Sequence, residues 1–376
     1  MGRDLAGDIY FESRLSDWLV QYFKTLGADH ERIEVAEGRA NVIARFDPSH
    51  ASRTLLLDAH QDTVPVDGMT IDPFHAKIRD GRMYGRGSCD VKGGMAAMLH
   101  AFGRLFTEGT NSKTSIVLSC SCDEEATTIG VQDLVRYWQP GTQRSRLLTS
   151  RPDGAVIAEP TELQAVVAHR GVVRFRVHTH GVAVHSSEPD RGKNAIYDMA
   201  SVLSEIQAVA TSLPQSRPPH PLCGPATISV GRIEGGTSVN IVPAHCQIEI
   251  DRRIIPGEDP REVFESLASR LQAAGKDVTC DDPWVSSPAL PDENNAWIAD
   301  AILAKVSEVT EPKNRIGVAY CTHASPISDA GVPSIVFGPG SIAQAHTKDE
   351  YIDIDSLDTA AEVYFRVCSD ESSWEG

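Results

Sequence analysis

The chain has 376 residues, enough for a large core and two domains, and its 41% hydrophobic and 23% charged content is that of an ordinary globular protein. Lys and Arg number 35 against 52 Asp and Glu, a formal charge of −17, and no basic stripe exists that could neutralise a phosphate backbone, so nucleic acid is excluded as the expected partner. No apolar run reaches the roughly 18 residues that a membrane span needs, so no membrane association is expected.

The opening Met1-Gly2-Arg3-Asp4-Leu5-Ala6-Gly7-Asp8 has no apolar stretch of a secretory signal, and Leu5-Ala6 lacks the Ser/Thr that a myristoylation start requires. Eight cysteines are scattered along the chain; without a signal they read as free thiols of a cytoplasmic protein. Cys120-Ser121-Cys122 has no second cysteine pair after it to complete a structural zinc site.

In chain order, Glu12–Leu26 carries Leu15, Leu19, Phe23 and Leu26 at helical spacing and closes at Gly27. Strand-like runs follow at Ile33–Val35 and Asn41–Phe46. Thr54–Leu57 is a buried strand that ends in Asp58-Ala59-His60. Gly93-Gly94 opens a helix, Met95–Phe106. Thr114–Ser119 is another buried strand and runs into Asp123-Glu124-Glu125; Gly154–Ala158 repeats the pattern and stops at Glu159-Pro160. Strands that each deliver acidic or histidine residues at their ends point to an α/β sheet with a site along its carboxyl edge.

From about Arg170 the texture changes. Gly171–Thr179 and Cys246–Arg253 alternate with period two, the mark of half-exposed antiparallel strands. Between them come a helix, Asn194–Leu213, a proline-rich loop, Pro214–Pro225, and a strand, Ala226–Ile233; a second helix, Val263–Ala274, follows. After Pro283–Pro291 the α/β manner returns with helix Ala296–Val309, strand Ser334–Phe337, a glycine loop and helix Leu357–Cys368. The expected organisation is a catalytic α/β domain, residues 1–169 and 283–376, with an α+β domain, 170–282, inserted into it.

Five clusters carry chemistry. His60 and Asp62 share a face of an extended strand, so Asp62 could fix the tautomer of a metal-bound His60. Gly85–Gly94 presents Asp90 before a helix, and its carboxylate could bridge two cations. The same glycines could cradle phosphate, but the segment lacks the Gly-Lys-Ser/Thr ending. Glu124 and Glu125 repel unless a cation or proton lies between them; one as ligand and its neighbour as general base is a coherent division of labour. Glu159, and His346 beyond Gly338-Pro339-Gly340, complete the set. Each cluster alone is also what an ordinary polar loop would look like.

Taken together, these segments resemble the co-catalytic zinc amidohydrolases and peptidases, a family that includes acetylornithine deacetylase, succinyl-diaminopimelate desuccinylase, aminoacylase-1 and glutamate carboxypeptidase. The resemblance runs from about residue 12 to the C-terminus with every cluster in order, and the text around Tyr320-Cys321-Thr322 and Gly338–His346 is most similar to acetylornithine deacetylase. It implies a zinc-peptidase-like catalytic domain with a central mixed sheet and an inserted lid and dimerisation domain. It implies two divalent cations, Zn2+ with Co2+ or Mn2+ as alternatives. His60 and Glu159 would hold one, Glu125 and His346 the other, and Asp90 would bridge them. Glu124 would be the general base and Asp62 would orient His60.

In the inserted domain, Gly181-Val182-Ala183-Val184-His185-Ser186-Ser187 resembles the family's lid segment. That implies a homodimer in which His185, joined by Asn240, stabilises the oxyanion in the partner subunit's site. Arg253 resembles the arginine that grips the substrate carboxylate, a task for a bidentate fork. The sequence departs from the deacetylase pattern at His323, where a glutamate is usual, which puts His323 at a substrate-binding position and acetylornithine itself in question. It is also short of the usual opening helix and loop, which places the expected start upstream or trims the first strand. The expected activity is hydrolysis of the amide bond of a small N-acyl amino acid, in amino-acid metabolism of the arginine-biosynthesis type. A metal-bridging water would be deprotonated by Glu124. The alternatives are a dipeptidase or carboxypeptidase on the same scaffold and a catalytically silent metal-binding relative.

Overall fold

The computed structural model describes residues 11–275 and 277–370; the opening segment Met1–Asp8 lies outside them. The chain forms two units. The first runs to Val167 and resumes over Pro291–Gly317 and from Thr322; the second comprises Ala168–Leu290 and Val318–Cys321. Among the described residues no helix is long and apolar enough to cross a membrane.

The first unit begins with α1 (Ser13–Leu26), which buries Leu19 and Phe23 and ends on Gly27 in the left-handed conformation. There follow β1 (Asp29–Ala36), β2 (Arg39–Phe46), β3 (Arg53–His60), β4 (Lys77–Arg79), β5 (Arg82–Tyr84), α2 (Lys92–Glu108), β6 (Thr114–Ser121), α3 (Ile129–Leu134), β7 (Gly154–Ile157) and β8 (Ala165–His169). The second unit contributes β9 (Gly171–His180), α4 (Ala195–Ser216), β10 (Thr227–Gly235), β11 (His245–Ile254), α5 (Pro260–Ala273), β12 (Val278–Cys280) and β13 (Val285–Ser287). The chain returns with α6 (Ala296–Val309), β14 (Arg315–Val318), α7 (Ala324–Asp329), β15 (Ser334–Val336), β16 (Tyr351–Asp353) and α8 (Ile354–Ser369).

The main sheet has eight strands in the order β1-β2-β6-β3-β7-β15-β8-β14. It is mixed, as expected: β2 runs antiparallel to both of its neighbours, β1 and β6, whereas β6-β3-β7-β15 run parallel. All eight residues of β6 and all four of β7 are buried, which is why neither strand shows an alternation of apolar and charged residues. The core packs Phe23, Phe102, Phe337 and Tyr364 with the helices α2, α6 and α8, and the Tyr364 hydroxyl donates to the Phe337 carbonyl at 2.5 Å. A three-stranded sheet, β16-β5-β4, stands apart from it.

In the second unit β10-β11-β9-β12 form an antiparallel sheet, with β13 also paired to β9. Its buried face takes Val173, Phe175, Val177, Ile248 and Ile250 against α4 and α5. Asn194 caps α4 by accepting from the amides of Ile196 and Tyr197, and Asp259 caps α5 by accepting from Glu262, with Pro260 at the first helical position. Helix α4 runs through Pro214 to Ser216, although the proline has no N–H and takes one bond out of the ladder near the helix end. The inserted segment is also longer than the expected 170–282. Residues 283–290 stay with the second unit because Val285 pairs with Arg174, the Trp284 amide donates to the Arg174 carbonyl, and Leu290 pairs with His169.

Candidate active site of the first unit

The parallel neighbours β6-β3-β7-β15 present their carboxyl ends side by side. His60 is the last residue of β3; Glu124 and Glu125 follow β6; Glu159 follows β7; the glycine loop after β15 leads to His346. Asp90 stands just before α2. Residues up to 286 positions apart in sequence thus meet at one sheet edge.

Asp90 is at the centre. Its Oδ1 lies 3.1 Å from His60 Nε2 and its Oδ2 lies 3.3 Å from His346 Nε2. His346 Nε2 is 3.1 Å from the Glu125 carboxylate, and His60 Nε2 is 3.9 Å from Glu159 Oε1. Donor atoms of His60, Asp90 and Glu125 all fall within 4.8 Å of one another. His60 places its Nδ1 3.0 Å from the Asp62 carbonyl, an acceptor only, so Nδ1 carries the hydrogen and Nε2 the lone pair. His346 sits at φ 60°, in the left-handed region that a histidine seldom occupies unless its surroundings hold it there.

Asp62 faces His60 with both its backbone and its side chain: the carbonyl is 3.0 Å and Oδ1 3.5 Å from His60 Nδ1. The carboxylate also accepts from the amides of Glu124 and Glu125, both at 3.0 Å, and so fixes the turn that carries the two glutamates. Burial works against ionisation of Asp62, but His60 and those two amides hold its pKa at about 2.

Five carboxylates around two imidazoles repel one another unless positive charge lies among them. Burial, with help from the Glu125 charge and against that of His60, pushes Glu124 up to about 7. Burial and the Asp90 charge hold Glu159 well above the usual range. Hydrogen bonds to Asp90 and Glu125 raise His346 to about 10. Imidazole and carboxylate donors at these separations fit divalent cations: Asp90 offers one oxygen to the His60–Glu159 side and the other to the His346–Glu125 side.

Several residues that build this site carry no individual signal in the sequence. Glu350 is fully buried and accepts four hydrogen bonds: Arg86 Nη1 at 2.6 Å, Gly87 N at 3.1 Å, Cys89 N at 2.9 Å and Asp90 N at 3.0 Å. It thereby fastens the loop that presents Asp90. Arg39 pairs with buried Glu12 at 2.7 Å and with Asp123, which precedes the glutamates in the left-handed conformation. At Gly338 an added Cβ would stand 2.6 Å from the Glu159 carbonyl oxygen, so only glycine lets the β15 loop pass that close.

His323 lies in the buried layer of the same unit, 2% exposed, with Nδ1 3.0 Å from Asp58 Oδ2 and 3.1 Å from Ser121 Oγ. Its ring is 6.5 Å from that of His60. The remaining expected site residues belong to the second unit. His185 is exposed, with Nδ1 2.7 Å from Ser187 Oγ, and bridges to Ile241 beside Asn240, whose Oδ1 accepts from Ser238. Arg253 forks the carboxylate of Asp251 at 2.6 and 3.1 Å, so its guanidinium already holds a carboxylate of its own strand.

The sequence profile of the Peptidase family M20/M25/M40 matches residues 56–370. The chain belongs to this family. It is 32% identical over 361 residues to an acetylornithine deacetylase of Photorhabdus laumondii, covering 93% of this chain and 88% of that one. It is 30% identical to an acetylornithine deacetylase of Vibrio campbellii, covering 94% and 90%. In structure it is similar to an M20 family metallo-carboxypeptidase from Sulfolobus solfataricus, with a TM-score of 0.77 at 20% identity and coverage of 95% and 93%. As a member of the M20/M25/M40 family the chain is a metal-dependent hydrolase, and its α/β fold is the one expected.

Proposed function

We propose that this M20/M25/M40 hydrolase cleaves the amide bond of an N-acyl amino acid, with Glu124 transferring the proton. The observation that carries the proposal is Asp90 with one oxygen at His60 and the other at His346, flanked by Glu159 and Glu125. His60 and Glu159 would hold one cation and Glu125 and His346 the other, with Asp90 between; zinc suits this set, and cobalt and manganese are chemically admissible. Bound there, the cations would polarise the amide carbonyl and acidify the attacking water. Glu124, raised to about 7 by burial, is suited to take the water proton and return it to the leaving amine. Asp62 holds Glu124 in place through its backbone.

His323 would face the amino-acid part of the substrate, and its difference from the deacetylase pattern makes a side chain other than that of ornithine the better candidate. Arg253 would take the substrate carboxylate by exchanging it for Asp251. A panel of acetyl-, succinyl- and peptidyl-amino acids offered to metal-replete protein tests the reading. Acyl-amino acids are expected to have the highest kcat/KM. Turnover of dipeptides alone would replace this reading with a peptidase.

The protein would work as a homodimer in which His185 and Asn240 polarise the substrate carbonyl in the partner subunit. Supporting this, His185 is exposed and its neighbourhood leaves Tyr197 and Val239 75% and 99% exposed beside a groove of about 1070 Å3, apolar surface of the kind a partner covers. His185→Ala is expected to stay folded and metal-loaded but nearly inactive. Mixed with an equally inactive Glu124→Ala protein it should regain part of the activity as subunits exchange; no recovery after verified exchange removes the shared site. Six of the eight cysteines are buried, which suits thiols kept in a reducing cytoplasm.

A further inference from the structure

The sheet of the second unit turns one face to its helices and the other outward. On β9 the buried positions Val173, Phe175 and Val177 alternate with Arg174, Arg176, His178 and His180. His178 and His180 are two residues apart and share the outward face, about 6.6 Å from each other along the strand. Strand β11 runs antiparallel with His245 opposite His180 and Gln247 opposite His178, so His245 is also the diagonal neighbour of His178. The three rings gather accordingly: centroids are 5.3 Å apart for His178 and His245, 5.7 Å for His180 and His245, and 6.4 Å for His178 and His180.

The nitrogen positions are more telling than the ring positions. His178 Nδ1 and His245 Nε2 face each other at 3.1 Å. Two nitrogens bound to one tetrahedral zinc at about 2.0–2.1 Å stand about 3.3–3.4 Å apart, so a shift of a few tenths of an ångström admits a cation between them. On the far side of the ring, His178 Nε2 is 3.1 Å from Asp281 Oδ2. That carboxylate claims the Nε2 hydrogen and leaves Nδ1 as a lone pair aimed at His245, the arrangement that commonly fixes a metal-ligating imidazole. Burial and the neighbouring His178 and His180 lower the pKa of His245, so its ring is neutral at physiological pH. His180 rests its Nε2 3.0 Å from Thr279 Oγ1 on an exposed part of the sheet, where its ring can turn to add a third nitrogen.

We propose that His178, His180 and His245, with Asp281 behind His178, form a binding site for a late first-row divalent cation (Zn2+, Ni2+ or Cu2+) made wholly of second-unit residues. Imidazole donors favour these ions over Mg2+, Ca2+ and Mn2+. None of the four residues takes part in the hydrolytic chemistry proposed for the first unit.

The experiment starts from holoenzyme whose first-unit cations are in place and freed of excess metal, titrated calorimetrically with Zn2+ or Ni2+. The wild type is expected to take up one equivalent more than His178→Gln/His245→Gln, at unchanged hydrolytic rate. Asp281→Asn should retain the equivalent but weaken it about 10–100-fold. Cu2+ added in place of Zn2+ should give a paramagnetic resonance spectrum with couplings from two or more nitrogens in the wild type only. Thermal midpoints measured in chelator, expected to agree within error, show that the variants are folded; Asp281→Asn and His180→Gln serve if the double variant is not. Equal uptake and equal affinity in wild type and variants, or a copper spectrum without nitrogen couplings, would overturn the site and leave a hydrogen-bonded imidazole cluster.

Discussion

Glu124→Gln is expected to lower kcat by about 10²–10⁴-fold, the usual contribution of a positioned proton-transfer group, with two cations per subunit still bound. Glu124 lies outside the donor pairs that face Asp90, so its loss should leave metal content, read by elemental analysis, unchanged. A variant within tenfold of wild-type kcat would sink the assignment. The same carboxyl has a signature in stability. Without cations its pKa in the folded protein is about 7, because burial disfavours the charged form, against about 4.3 in the unfolded chain. A carboxyl raised in this way contributes stability that is fully present below about pH 4 and lost as pH rises through 7. The metal-free Glu124→Gln variant should therefore melt at the wild-type temperature near pH 4 and above it near pH 8. Calorimetry of chelator-treated protein at the two pH values checks the sign.

Glu350→Ala is the substitution expected to cost the fold most per atom removed. It strands the Arg86 guanidinium, 5% exposed, and the amides of Gly87, Cys89 and Asp90 in a buried loop. Removing one partner of a buried ion pair typically costs about 3–5 kcal/mol, a large part of the roughly 5–15 kcal/mol that stabilises a domain. Glu350→Gln should fall between, since it keeps oxygen acceptors for one pair of donors but turns an NH2 towards the other. Urea denaturation of metal-free protein measures the loss. Metal titration of Glu350→Gln should show weakened binding, because the loop that aims Asp90 is no longer clamped. A loss of less than about 1 kcal/mol in Glu350→Ala would show that the loop holds itself.

Much of this site could be read from the chain because its parts follow buried strands. β3, β6 and β7 are apolar runs with polar ends, and the residues at those ends, His60, Glu124-Glu125 and Glu159, are the ones that meet. What could not be read is what aims them. Glu350 lies in a polar stretch next to Asp349, and only the closed fold shows that one of these two acids is fully buried while the other is exposed. Asp62 was legible as a partner of the site but not as the acceptor of the Glu124 and Glu125 amides, since backbone partners leave no mark in side-chain text. The short strands β4, β5, β12 and β13, three residues each, also have too few positions to show a period. The edge of the inserted unit is hidden for that reason: β13 pairs with β9, and nothing in Val285-Ser286-Ser287 announces it.

The four parallel strands that carry the site are consecutive in space but not along the chain: β15 is made only after the whole second unit has been traversed. His60, Asp90, Glu125 and Glu159 can gather early, whereas His346 arrives only when β15 has docked beside β7. On a growing polypeptide the His346–Glu125 side of the site cannot exist until the segment after β15 has been made. On the proposed assignment, uptake of the second cation would report that both stretches of the first unit have come together, and would tie loading of the hydrolase to docking of β15.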